Sequence, residues 1–169
     1  MSKLTKVAVA VAAAISLSAA SAEAQQTANI NATADVLAAI TVSGAQDLDF
    51  GQVLPGVQYT VDAATDAGAG RFDLTGYGGA NVNVSFSALP AALTGPGVPI
   101  TLGSWTGCLI SGPASQAGCT PFTPSAAFQA TNFSGGGLLS VYVGNDITPA
   151  ASQTAGIYTG VITLDAAYF

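Results

Sequence analysis

The chain of 169 residues is long enough for one domain plus a removable leader; half of it is hydrophobic and only 7% is charged. Three basic residues stand against nine acidic ones, with no histidine, for a formal net charge of −6. That balance cannot neutralise phosphates, which excludes nucleic acid as a partner and disfavours anionic membrane surfaces. At the front, Lys3 and Lys6 precede an uncharged run from Val7 to Ala20, and Ala22-Glu23-Ala24 before Gln25 fits an A-x-A cleavage site. The pattern predicts a secretory signal peptide over residues 1–24, too short and wrongly flanked for a membrane span. A second cut is acceptable after Ala20-Ser21-Ala22. No later stretch is apolar enough for a spanning helix, so the expectation is export without stable membrane insertion, to the periplasm, the cell surface or beyond.

Past the leader, Ala28, Ile30, Ala32, Ala34, Val36, Ala38, Ile40 and Val42 share one parity, with Thr27, Asn29, Asn31, Thr33 and Asp35 on the other. One strand of that length exceeds the usual range, so the run divides into an extension over residues 25–35 and a first core strand over about Val36 to Ser43. The remaining residues, 36–169, are expected to form the folded domain. Gly44-Ala45-Gln46-Asp47 reads as a turn. In Leu48-Asp49-Phe50-Gly51, Leu48 and Phe50 point to the core and Gly51 permits a bend; Pro55-Gly56 supplies another turn. Tyr59 and Val61 make a short strand before the loop from Asp62 to Gly70. Asp62 and Asp66 lack the dense acidic spacing and closing Glu of a calcium loop, so this segment reads as a solvated turn.

Arg71–Thr75 alternates as a strand, and Val82, Val84 and Phe86 mark a clearer one with an inward face. Val98, Ile100 and Leu102 suggest a strand leading to Trp105, which is expected to cover one end of the core. Cys108 and Cys119 are the only cysteines, and in an exported chain two this close predict one disulfide pinning a surface hairpin or loop. Phe122, Phe128 and Phe133 are too irregularly spaced to assign. Leu139, Val141 and Val143 give a buried strand, followed by Gly144-Asn145-Asp146 as a turn. The last fourteen residues, Gly156–Phe169, read as one half-buried strand. Tyr158, Ile162, Leu164, Ala166 and Tyr168, with Gly160, share one face; Thr159, Val161, Thr163 and Asp165 share the other. Short strands punctuated by Gly, Pro and Asn, and no helical period after the leader, predict an all-β, immunoglobulin-like antiparallel β-sandwich.

Two stretches carry a family resemblance. A glycine at position 156, fourteenth from the end, and Tyr168 next to last resemble the closing strand of bacterial chaperone–usher pilins. Leu48-Asp49-Phe50-Gly51 followed by Val53 and Pro55-Gly56 looks like the opening of an uncharacterised family of secreted bacterial β-sandwich domains, itself similar to archaic pilins and spore-coat-protein-U domains. Many chaperone–usher pilins place their disulfide near the front, whereas Cys108 and Cys119 lie mid-chain, so the uncharacterised family is the nearer match. The resemblance implies a sandwich that lacks or donates an edge strand. It implies that a strand holding Gly156, Tyr158, Ile162, Leu164 and Tyr168 borders a groove. Ile30, Ala32, Ala34 and Val36 of another copy would fill that groove as a donor strand, after a periplasmic chaperone had held it open for an usher-borne assembly.

After residue 24 the chain contains no His, Lys or Glu, so the usual proton carriers and activated nucleophiles are missing and no enzyme, cofactor or metal is expected. Two readings stay open: an exported subunit of a surface fibre that polymerises by strand donation, and a self-complete secreted binding or matrix domain whose leading segment is an edge strand of its own sheet. The residues name no receptor for either. A small outer-membrane barrel fits less well, because counting back by twos from Phe169 turns Asp165 towards lipid.

Overall fold

The computed structural model describes residues 26–169, so the expected leader lies outside the described residues. One compact unit runs from Asp35 to Phe169. Ahead of it, residues 26–34 form no strand and are exposed throughout. The folded unit is all-β and antiparallel.

The larger sheet has six strands: β1 (Thr41–Gln46), β2 (Tyr59–Val61), β3 (Gly70–Thr75), β7 (Thr106–Ile110), β8 (Thr120–Phe122) and β10 (Leu138–Ile147). Its order is β1-β3-β10-β7-β8, with β2 also paired to β10. The smaller sheet is β11-β4-β9, built from β4 (Asn81–Ala88), β9 (Gln129–Asn132) and β11 (Thr163–Tyr168). A separate hairpin joins β5 (Ala92–Leu93) to β6 (Ile100–Thr101). The sheets are open, with β1, β8, β9 and β11 at their edges, unlike the closed sheet of a barrel.

Alternation builds the core. Val82, Val84 and Phe86 of β4 and Leu164 of β11 meet Leu74 of β3, Leu109 of β7 and Leu139, Val141 and Val143 of β10 in one buried cluster. Two sheets sharing one apolar layer make a sandwich. Strand β10 is buried on both faces, because its other face carries Tyr142 into a second cluster with Val61, Ala63, Ala69 and Cys108. The loop from Asp62 to Ala69 covers that outer face. Its acids are spent on the turn itself: Asp66 accepts the Asp62 amide at 2.6 Å, and Asp62 accepts the Ala64 amide at 2.8 Å.

Cys108 and Cys119 are bonded, with Cα atoms 5.6 Å apart, and tie the β7–β8 hairpin together. From that hairpin Gln116 donates to the Ala63 and Asp66 carbonyls at 3.0 and 2.8 Å. The disulfide therefore staples the cover of the second cluster as well as the hairpin. Trp105 packs on a third cluster, around Ile100, Leu102 and Ile147, at one end of the sandwich, as expected.

Four local expectations are corrected. The first strand is Thr41–Gln46 rather than Val36–Ser43, and all six of its residues are exposed. Its partner β3 ends at Thr75, opposite Thr41, so no ladder remains for Val36–Ile40. Gly44–Gln46 is not a turn but part of β1, with a register shift between Gly44 and Gln46. Gly144-Asn145-Asp146 lies inside β10, not at a turn. Glycine is needed there because Val61, Ala63 and Thr106 crowd the backbone, and Asp146 takes the Ser104 amide at 2.8 Å. Finally, the strand expected over Gly156–Phe169 is regular only over Thr163–Tyr168. Its partner β4 stops at Ala88, opposite Thr163, and Pro90 follows with no amide to donate.

Candidate functional site

Of the four edge strands, β1 and β11 approach one another, and their chain continuations form the walls of a cleft. Beyond β1 the chain runs through Asp47–Val53; ahead of β11 it runs through Gly156–Gly160. Between them opens a cavity of about 570 Å³. Its floor is the third cluster, with Leu93, Ile100, Leu102, Trp105 and Ile147, while Phe50 and Tyr158 stand in the walls. A second hollow of about 540 Å³ adjoins it, sharing Gly51, Val53, Ile100, Gly156 and Tyr158. The cleft is therefore apolar below and bordered by main chain above.

Each wall is held at few points. On one side the Asp49 amide donates to the Gly68 carbonyl at 2.9 Å, and Asp49 Oδ1 accepts the Gly51 amide at 2.7 Å across a bend with Gly51 at φ 67°. On the other, Thr94 and Thr159 exchange amide-to-carbonyl bonds of 2.8 and 2.9 Å in an isolated bridge. Gly156 has φ 153° and lies against Pro96, where a Cβ would come within 2.5 Å of Cγ. Tyr158 is fixed by its hydroxyl, which donates to the Thr154 carbonyl at 2.9 Å. Asp47 and Asp49 line the cavity with no basic side chain among its lining residues, so its electrostatic character is acidic.

Of the residues singled out from sequence, Gly156 and Tyr158 line the cavity. Ile162, Leu164 and Tyr168 turn inward onto the main core, with Leu164 buried. The opposite row, Thr159, Val161, Thr163 and Asp165, faces out. The shared face holds over Ile162–Tyr168, with a register shift between Thr163 and Leu164, whereas Tyr158 packs on the third cluster and Thr159 lines the cavity beside it. Ile30 and Val36 are 94% and 87% exposed, and Ala32 and Ala34 are exposed too. They belong to no strand.

The second wall and much of the floor were not singled out as site residues. Leu48 and Phe50 were expected to be core, and both are half-buried at cluster margins facing the cleft. Ile100 and Leu102 were expected in one strand with Val98, but only Ile100–Thr101 is strand, paired with Ala92–Leu93, and Leu102 bridges Ile147. The Gly51 bend was the visible signal.

Comparison with known protein families, characterised proteins and solved structures finds no match. Among the described residues no group of His, Cys, Asp or Glu could hold a metal ion, and no helix is long and apolar enough to cross a membrane.

Proposed function

We propose that this chain is an exported structural subunit whose cleft accepts an extended strand from another molecule, in a pilus-like or surface-fibre assembly. The immunoglobulin-like description of the sandwich belongs to the same proposal. One observation carries it: a cavity with an apolar floor lies open between two stretches of chain, Asp47–Val53 and Gly156–Gly160, that each continue an edge strand. A cleft bordered by chain on two sides with apolar side chains in its floor is the setting that strand addition uses. Residues 25–36 supply a strand of matching reach. Twelve residues extend about 40 Å, close to the roughly 43 Å of the thirteen from Gly156 to Tyr168. A periplasmic chaperone, and an usher, are the partners such a subunit would need.

A self-complete secreted domain is the second reading, and Tyr168 favours it. Its hydroxyl donates to the Ala38 carbonyl at 2.7 Å, which lays the chain's own leading segment beside the end of β11. Size-exclusion chromatography of the protein starting at Gln25 separates the two. A ladder of oligomers that vanishes on deletion of residues 25–35 supports strand donation. A monomer indifferent to that deletion rejects donation and leaves the self-complete domain.

A further inference from the structure

We infer that Asp47 and Asp49 make the cleft selective against acidic strands, so that a docking copy inserts residues 26–34 and stops short of Asp35. The inference rests on the strand-docking reading and names which part of the leading segment enters. Both aspartates line the cavity, and both are exposed. Past residue 24 the chain has one basic residue, Arg71, which pairs with Asp73 at 3.2 Å and does not line the cavity. The two wall carboxylates therefore meet whatever enters with no cation of this chain to offset them. An entering carboxylate faces like charge at the wall. Below it lies a floor of Leu93, Ile100, Leu102 and Ile147, whose side chains offer it no donor.

The leading segment divides at the matching place. Residues 26–34 carry no charge, form no strand and are exposed throughout. The first charge is Asp35, where the compact unit also begins. From there the chain is held to its own domain. The Tyr77 hydroxyl donates to Asp35 Oδ2 at 3.4 Å, the Tyr168 hydroxyl donates to the Ala38 carbonyl at 2.7 Å, and Ile40 packs against the main core. Val36, although 87% exposed, lies between those attachments and stays with the donor. Ile30, at 94% exposed, is the one large apolar side chain of residues 26–34. Nine extended residues reach about 30 Å, with Ala28, Ile30, Ala32 and Ala34 on one face. Ile30 is thus the side chain that the apolar floor receives.

The test titrates the protein starting at Gln25 against fluorescent synthetic peptides, with anisotropy reading affinity. Ratios among peptides are compared, and self-assembly of the protein leaves those unchanged because it competes with each peptide equally. Shortening a peptide of residues 25–36 to residues 25–34 is expected to keep affinity within about two-fold. Asn29→Asp with Asn31→Asp in the shorter peptide changes charge at constant shape, on the row away from Ile30. That peptide is expected to bind roughly three- to ten-fold more weakly at low salt, and to recover most of the loss in about 0.5 M salt. It should also lose less against Asp47→Asn protein, which removes one charge and leaves the Asp49–Gly51 bend alone. The salt series decides if Asp47→Asn does not fold. Ile30→Ala in the peptide is expected to weaken binding about ten-fold or more. Equal affinity for the native and the Asp-bearing peptides overturns the charge selection and leaves strand docking intact. A penalty that neither salt nor Asp47→Asn reduces overturns it as well. A 25–36 peptide that binds far tighter than 25–34 overturns the boundary at Asp35, and an Ile30→Ala peptide that binds as well as the native overturns the anchor. No binding by any peptide sinks strand docking and the selectivity with it.

Discussion

Ile157→Asp separates folding from docking more cleanly than any other single change. Ile157 lies on the cavity wall, yet 83% of it is exposed in the isolated domain. Burying an isoleucine side chain contributes about 1.5–3 kcal/mol, and folding has used only a small part of that. The unused share, about four-fifths, leaves roughly 1.2–2.5 kcal/mol for a strand that covers it, or about ten- to sixty-fold in Kd. An added carboxylate also joins Asp47 and Asp49 in the same lining, which deepens the loss for any occupant bearing an acid. Stability should scarcely move, because surface substitutions away from special features stay within about 0.5 kcal/mol. Urea denaturation followed by Trp105 fluorescence measures the first quantity, and size-exclusion with light scattering across a concentration series measures the second. Unchanged stability with weakened assembly is the expected pair. Assembly that persists unaltered would refute the placement of the docking strand over Gly156–Gly160.

Other outcomes follow from the packing. Reducing Cys108–Cys119, which closes a loop with a sequence separation of 11, should cost about 3 kcal/mol and lower the urea midpoint by roughly 1–3 M. Denaturation with and without reductant, with free thiols counted, checks this; an unmoved midpoint would contradict the stapling of the second cluster. Gly156→Ala should cost about 1–3 kcal/mol, because alanine is strained at φ 153° and its Cβ meets Pro96 at 2.5 Å. Calorimetry should register this as a fall of several degrees in Tm. Phe133→Ala should be the most damaging of these, about 3–5 kcal/mol, since Phe133 is fully buried and backs Tyr168.

What the sequence made legible follows the physics of alternation. Val82, Val84 and Phe86 could be placed inward because each is flanked by small polar residues, and β4 lies between β11 and β9 with that face on the core. Leu164 and Ala166 were assigned their face for the same reason. Strand ends were not legible, because an end is set by the partner. Gly156–Ile162 alternates as well as Thr163–Tyr168 does, but β4 has stopped by then and only the single bridge from Thr94 to Thr159 pairs it. Val36–Ile40 lacks a ladder in the same way once β3 ends at Thr75. Gly144-Asn145-Asp146 failed in the opposite sense. Three turn-forming residues sit within β10: crowding selects Gly144 and an amide to accept selects Asp146, while Asn145 is simply buried between them. The cleft was half visible: one wall lay in the alternating C-terminal segment and Ile100 and Leu102 of the floor alternated too, but nothing local showed that they meet the Asp47–Val53 wall.

The two flanks of the sandwich are guarded differently, and that asymmetry bears on why the cleft exists. At the β8–β9 flank, β8 carries Pro121 within its three residues and Pro124 stands just beyond. The chain then crosses to β9 and continues the pairing beside β4, with the Phe86 amide donating to the Ser125 carbonyl at 2.9 Å. Prolines and a covering loop are common ways to keep an edge from pairing with strangers. The opposite flank has neither. Strand β11 contains no proline or lysine and one charge, Asp165, and the segment ahead of it exposes Ile157 and Val161 at 83% and 74%. An edge left this bare is an aggregation hazard for a domain meant to stay alone. The proposed strand docking would give that flank a use, since a docked strand would cover Ile157 and Val161; a self-complete domain leaves both side chains in water.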